Sequence, residues 1–203
     1  MAKSIETVLF DLGGVLVELG GMGIMMEWTG GHWTEGQLWR KWLLSGAGRA
    51  FESGTIGPEE FARRMIEEFS LPIGPETYLD VFARWVVRAV PGAHELLDQL
   101  AGRCVRACLS NTNVLHWSRM ADDMGLGARF EHAFPSHLTG RVKPDADAFL
   151  GALRVLRAEP ERVLFFDDSP VNIEAAQALG ISARLTRSLD DVRQALTEAQ
   201  LLD

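Results

Sequence analysis

The chain repeats one pattern: short apolar runs, too short for helices, that stop abruptly at polar residues. TVLF runs into Asp11, CVRACLS ends at Ser110 with Asn111 and Thr112 behind it, and RVLFFDD closes on Asp167 and Asp168. HAFPS and ISARL are weaker runs of the same kind. Apolar runs without strict alternation fit strands of a parallel sheet covered on both faces. The segments between them carry helix signals. Pro91 and Gly102 bracket PGAHELLDQLAG, with Ala93, Leu96, Leu97 and Leu100 on one stripe. Pro144 opens another helix, with Asp145 and Asp147 in its first turn, where the helix dipole favours anions. Ser169 and Pro170 stand as N-cap and N1 of a third, which Gly180 stops. Strand and helix in alternation predict an α/β fold, a doubly wound parallel sheet of Rossmann-like design.

Residues 18–90 break this rhythm. They show no convincing strand, and TEGQLWRKWLL, PEEFARRMIEEFS and PETYLDVFARWVVR read as amphipathic helices joined through SGTIGP and LPIGP. The expected organisation is a core built from residues 1–17 and 91–203, with a helical unit, 18–90, inserted after the first strand. The tryptophans of this unit (Trp28, Trp33, Trp39, Trp42 and Trp85) are expected to pack helices, with one or two at a substrate cleft.

Composition excludes several functions. A formal net charge of −8 leaves no basic excess for nucleic acid or an anionic membrane. No apolar stretch reaches the roughly 18 residues of a membrane span, and Asp11 interrupts the first apolar run before it resembles a signal peptide. Cys104 and Cys108, on one strand, would lie about 13 Å apart at about 3.3 Å per residue, too far for a disulfide. Free thiols in a cytoplasmic protein, monomer or homodimer, are the expectation.

In an open α/β sheet ligands bind at the carboxyl ends of the strands. The polar residues there are Asp11, then Ser110, Asn111 and Thr112, then Asp167, Asp168 and Ser169, with Asn172 one turn into the next helix. GRVKPD adds Lys143 beyond the third strand. Carboxylates converging on one crevice repel one another, and Mg²⁺, which takes carboxylate oxygens while keeping waters, would relieve this. Lys143 and Ser110 suit a phosphoryl group as charge and hydrogen-bond donor. Asp11 is then free to act as a nucleophile and form an aspartyl-phosphate.

These segments, in this order, resemble the four motifs of the haloacid dehalogenase superfamily of hydrolases. FDLGGVLVELG is similar to the first motif, LSNT to the second, Lys143 in GRVKPD to the third, and FFDDSPVNIEAAQALGI to the acidic fourth. The helical unit, including FESGTIGPEEF, resembles the cap of the subclass that carries it directly after the first motif. Within the superfamily, Asp11-Leu12-Gly13 and Leu109 to Asn113 look closest to the α-D-glucose-1-phosphate phosphatase branch. The resemblance implies a HAD-type core with a helical cap and Mg²⁺-dependent hydrolysis of a small phosphorylated substrate, a sugar phosphate favoured. It also implies roles. Asp11 is nucleophile and metal ligand, the Gly13 carbonyl and Asp168 ligate the metal, and Asp167 acts mainly through water. Asn172 lies in the outer shell, and Ser110, Asn111 and Lys143 hold the phosphoryl group.

One departure matters. Most phosphatases of the superfamily carry an aspartate two residues after the nucleophile as general acid and base, and here that position is Gly13. Losing such a group costs about 10²–10⁴-fold. Glu18, His32 and His116 are the replacements considered, beside a substrate with a good leaving group. The alternative activity is metal-independent 2-haloacid dehalogenation on Asp11, in which halide needs no proton, with Arg40, Lys41 and Arg49 as cations; a weakly active or inactive binding module is the third reading.

Overall fold

The computed structural model describes residues 4–203. In chain order its strands and α-helices are β1 (Thr7–Phe10), β2 (Val17–Leu19), α1 (Met22–Trp28), α2 (Glu35–Leu43), α3 (Gly46–Glu52), α4 (Pro58–Phe69), α5 (Pro75–Phe82), β3 (Val86–Ala89), α6 (Ala93–Gln99), β4 (Val105–Ser110), α7 (Val114–Ser118), β5 (His132–Pro135), α8 (Ser136–Thr139), α9 (Ala146–Leu156), β6 (Val163–Asp167), α10 (Pro170–Ala178), β7 (Ser182–Leu185) and α11 (Leu189–Glu198). Five strands form one parallel sheet in the order β5-β4-β1-β6-β7. The chain leaves β1 toward β4 and β5, then returns to its other side for β6 and β7. The strand order therefore reverses beside β1, the place where such sheets open a crevice.

Every residue of β1 and β6 is buried, as two covered faces require. Alternate residues feed separate cores. Val8, Phe10, Leu164 and Phe166 pack with Leu96 and Leu97 of α6 and Val192 and Leu196 of α11. Leu9, Phe165 and Ala107 pack on the opposite face with Phe149 of α9 and Ala176 of α10. Both weak strand candidates, HAFPS and ISARL, are the sheet's edges.

Helices α1–α5 surround a third apolar cluster that includes Met25, Leu38, Phe51, Phe61, Tyr78, Phe82 and Trp85. Phe51 stacks on Phe61 at 4.3 Å between ring centroids. Two features here depart from the sequence reading. The helix expected to run through WVVR stops at Phe82, and Val86–Ala89 pairs antiparallel with Val17–Leu19. The β-branched Val86 and Val87 favour strand over helix, and Arg88 forks onto Glu18 at 2.9 and 3.0 Å across the pair. The helices α1 and α3 were also unexpected. Each is only seven residues long, and Gly21 and Gly23, or Gly46 and Gly48, blur their periodicity.

Candidate active site

Asp11 follows β1 directly and is anchored by its own N–H, which donates to the Phe166 carbonyl at 2.8 Å. Its Oδ1 accepts from the Leu12 N–H at 2.7 Å and lies 3.0 Å from Lys143 Nζ. The same ammonium lies 2.6 Å from Oδ2 of Asp167, whose side chain is wholly buried. Lys143 thus bridges the ends of β1 and β6. Asn111, just past β4, fixes it there: its Nδ2 donates to the Lys143 carbonyl at 2.8 Å and its Oδ1 accepts from the Lys143 N–H at 2.8 Å.

Asp167 is held by several donors. Besides Lys143 it accepts from the Ser169 N–H at 2.8 Å and from Asn172 Nδ2 at 2.9 and 3.0 Å. These contacts fix the position of the lysine ammonium. Asp168 faces outward at the same edge, and Asp11, Asp167 and Asp168 each offer an oxygen within 4.8 Å of one another. Gly14, at φ 74°, lets the backbone approach Asp168 so closely that a Cβ would stand 2.2 Å from its Oδ2.

Three carboxylates share a single lysine, and the electrostatics show the imbalance. Burial, then the charges of Asp167 and Asp168, push the Asp11 carboxyl above its ordinary range against the pull of Lys143. Burial and Asp167 do the same to Asp168. Burial draws Lys143 down, but Asp11 and Asp167 outweigh it and hold the ammonium above its ordinary value. An all-oxygen set with excess negative charge, and a glycine keeping the backbone clear, suits a hard divalent cation.

Beside this cluster lies a cavity of about 110 Å³. Gly13, Ser110, Asn111 and Thr112 line it from the sheet, and Trp39, Trp42, Phe82 and Trp85 from the helices. Trp39, Trp42 and Trp85 thus pack the helices and also wall the cleft, three where one or two were expected, whereas Trp28 only packs and Trp33 is exposed. Among the described residues the buried Trp85 Nε1 and Thr112 Oγ1 have no hydrogen-bond partner, which buried polar atoms rarely tolerate.

The replacements considered for the missing acid fare poorly. Glu18 is held by Arg88, and His32 is exposed. His116 lines the cavity but is neutral: burial, with Arg119, pulls it down to about 4 although its bond to the Phe82 carbonyl opposes this. The cations offered for a dehalogenase are occupied or exposed. Lys41 Nζ donates to the Glu68 carbonyl at 2.6 Å, Arg49 pairs with Asp145, and Arg40 is exposed.

One cavity residue escaped the sequence reading. Glu52, the last residue of α3, is half-buried in the cavity lining. Burial pushes its carboxyl up to about 7, against Lys143 and Arg49. The available signal was helical spacing: Glu52 lies four residues after the buried Gly48, so an acid borders the apolar face of α3.

A buried carboxylate, a buried lysine and an acidic pair meet at the strand ends of a doubly wound sheet. The chain belongs to the haloacid dehalogenase-like hydrolases, whose family model matches residues 5–180. It is 28% identical to phosphoglycolate phosphatase 1 of Pseudomonas aeruginosa, over 96% of this chain and 74% of the relative. It is 27% identical to flavin mononucleotide hydrolase 1 of Arabidopsis thaliana, over 73% of this chain but only 60% of that protein. A HAD-family enzyme of Bacteroides thetaiotaomicron, solved with magnesium and inorganic phosphate, is 27% identical and superposes with a TM-score of 0.74 over 89% of this chain and 93% of that one. No helix among the described residues is long and apolar enough to cross a membrane.

Proposed function

We propose that this chain is a Mg²⁺-dependent phosphomonoester hydrolase acting on a small phosphorylated metabolite, a sugar phosphate favoured, through an aspartyl-phosphate on Asp11. The observation that carries this is Lys143 fixed between Asp11 and Asp167, with Asp168 alongside. Phosphoryl transfer needs positioning and charge neutralisation above all. Asp11 and Asp168, with the Gly13 carbonyl and Asp167 through water, would hold Mg²⁺, which when bound neutralises charge on the phosphoryl oxygens. Lys143 and Ser110 orient the phosphoryl group. Asn111 contributes by clamping the Lys143 backbone, because its amide is already engaged there. Asp11 attacks phosphorus, the ester oxygen leaves, and water then releases phosphate from Asp11.

Residues 18–90 act as the cap, closing over a core of residues 1–17 and 91–203. The relatives that hydrolyse phosphoglycolate and flavin mononucleotide support a phosphomonoester. The aromatic wall suits the C–H face of a sugar ring, and the unpartnered Trp85 Nε1 and Thr112 Oγ1 suit hydroxyl groups. The free thiols Cys104 and Cys108 fit a reducing cytoplasm.

The test is phosphate release from p-nitrophenyl phosphate and a sugar-phosphate panel, with and without Mg²⁺, by the protein and by Asp11→Asn. Mg²⁺-dependent turnover that vanishes in the variant is expected. Silence on every phosphate, with chloride release from 2-haloacids, would replace this reading with dehalogenation.

A further inference from the structure

Resting on the phosphatase reading, we infer that Glu52 is the general acid and base of this enzyme, supplied from the helical insert in place of a carboxylate at position 13. Glu52 lines the same cavity as Gly13 and Ser110, so an acid from the helices faces the cleft that Gly13 leaves without a carboxylate.

Two contacts hold it there. Arg49, one turn earlier on α3, pairs with Asp145 at the start of α9. Just past Glu52, Gly54 at φ 72° lies against α8, where a Cβ would come within 2.3 Å of the His137 carbonyl oxygen. The α3 turn is therefore seated directly on the sheet domain. The charged groups acting on Glu52 are Lys143 across the site and Arg49 on its own helix. His137 of the facing α8 is held below its ordinary value by burial. Among the described residues no hydrogen bond or ion pair occupies the Glu52 carboxyl, and its carboxyl titrates near neutrality, where a group that must both give and take a proton works best.

The proton balance closes. As Asp11 attacks phosphorus, the bond from phosphorus to the ester oxygen breaks and its electron pair stays on that oxygen. The Glu52 carboxylic acid protonates it, and the alcohol leaves. Water then attacks phosphorus, the bond to Asp11 breaks with its electron pair returning to the Asp11 carboxylate, and the Glu52 carboxylate takes the proton from water. Glu52 ends as it began, protonated.

Leaving-group dependence tests this. Steady-state kinetics with Mg²⁺ would compare p-nitrophenyl phosphate, whose leaving group needs no proton, with glycerol phosphate, whose alkoxide does, in the wild-type protein and Glu52→Gln. Glu52→Gln is expected to lose about 10²–10⁴-fold in kcat/KM on glycerol phosphate and far less on the aryl ester, which also reports that the variant is folded. The fall of wild-type kcat/KM above neutral pH on the alkyl ester should disappear in the variant. Equal losses on both esters, or no loss on glycerol phosphate, would overturn the assignment while leaving the phosphatase reading intact. A wild-type protein silent on both esters would overturn both.

Discussion

Protonating one histidine should loosen the helical insert from the sheet domain. The His116 ring packs at a tilt against Phe82 of α5, 4.2 Å between centroids, and its Nε2 lies 2.7 Å from the Phe82 carbonyl, so that nitrogen carries the hydrogen. Its Nδ1 lies 3.2 Å from Asn113 Nδ2 and must accept. The Asn113 amide cannot turn over, because its Oδ1 already caps the Leu115 and His116 N–H groups at 3.1 Å each. A proton on Nδ1 would set N–H against N–H. Burial holds the folded His116 at about 4, against 6.5 for the ordinary group. The unfolded chain therefore binds the proton first, and stability present above pH 6.5 is lost as pH falls toward 4. At about 1.36 kcal/mol per pH unit, that window is worth about 3 kcal/mol. Urea unfolding, followed by tryptophan fluorescence from neutral to acid pH, would compare the wild-type protein with His116→Gln, which keeps a neutral donor for Phe82 but does not titrate. The wild-type protein should lose about 3 kcal/mol more than the variant over this range. Parallel curves would refute the tautomer and its burial.

Other substitutions probe the site. Gly14→Ala forces a Cβ against Asp168 Oδ2 at a backbone φ of 74° and should weaken Mg²⁺ binding by about 10–100-fold, read by calorimetry. Lys143→Met leaves the carboxylates of Asp11 and Asp167 buried without their cation and should cost about 3–5 kcal/mol in urea unfolding at neutral pH. That cost should shrink in acid as Asp11, whose carboxyl burial already raises, protonates. Gly13→Asp meets only the tip of Leu19, its Cβ 3.1 Å from Leu19 Cδ1. Built into Glu52→Gln, it should restore part of the glycerol phosphate turnover, and no recovery would mean that the lost proton was not the limiting loss.

The sheet and its strand ends were legible because burial on two faces writes itself as unbroken apolar runs, and because each run stops abruptly at a polar residue. Asp11, Ser110, Asp167 and Asp168 could be read by position alone. The insert was less legible. VVRA reads equally well as the tail of an apolar helix, and only its pairing with Val17–Leu19 makes it a strand. Asn111 looked like a ligand for phosphate, since nothing in LSNT announces that its amide closes on the Lys143 backbone 32 residues away. Glu52 was hidden for a related reason: its importance comes from where α3 docks, and neither the Arg49–Asp145 pair nor the approach of Gly54 to His137 has a local signature.

That docking gives the position of Glu52 a consequence for catalysis. A carboxylate at position 13 would travel with Asp11 on the loop after β1 and stand ready whether or not the helices were seated. Glu52 travels with α3, and α3 meets the sheet domain through a partly exposed ion pair, a kind worth little in free energy, and through the close approach of Gly54 to His137. Asp11, Asp167, Asp168 and Lys143 belong to the sheet domain and persist through such a movement. An open enzyme would hold its nucleophile but lack its proton donor, so an alkyl ester could react only once the helices had closed and expelled water, which guards the phosphoryl group and the aspartyl-phosphate against loss outside a productive complex.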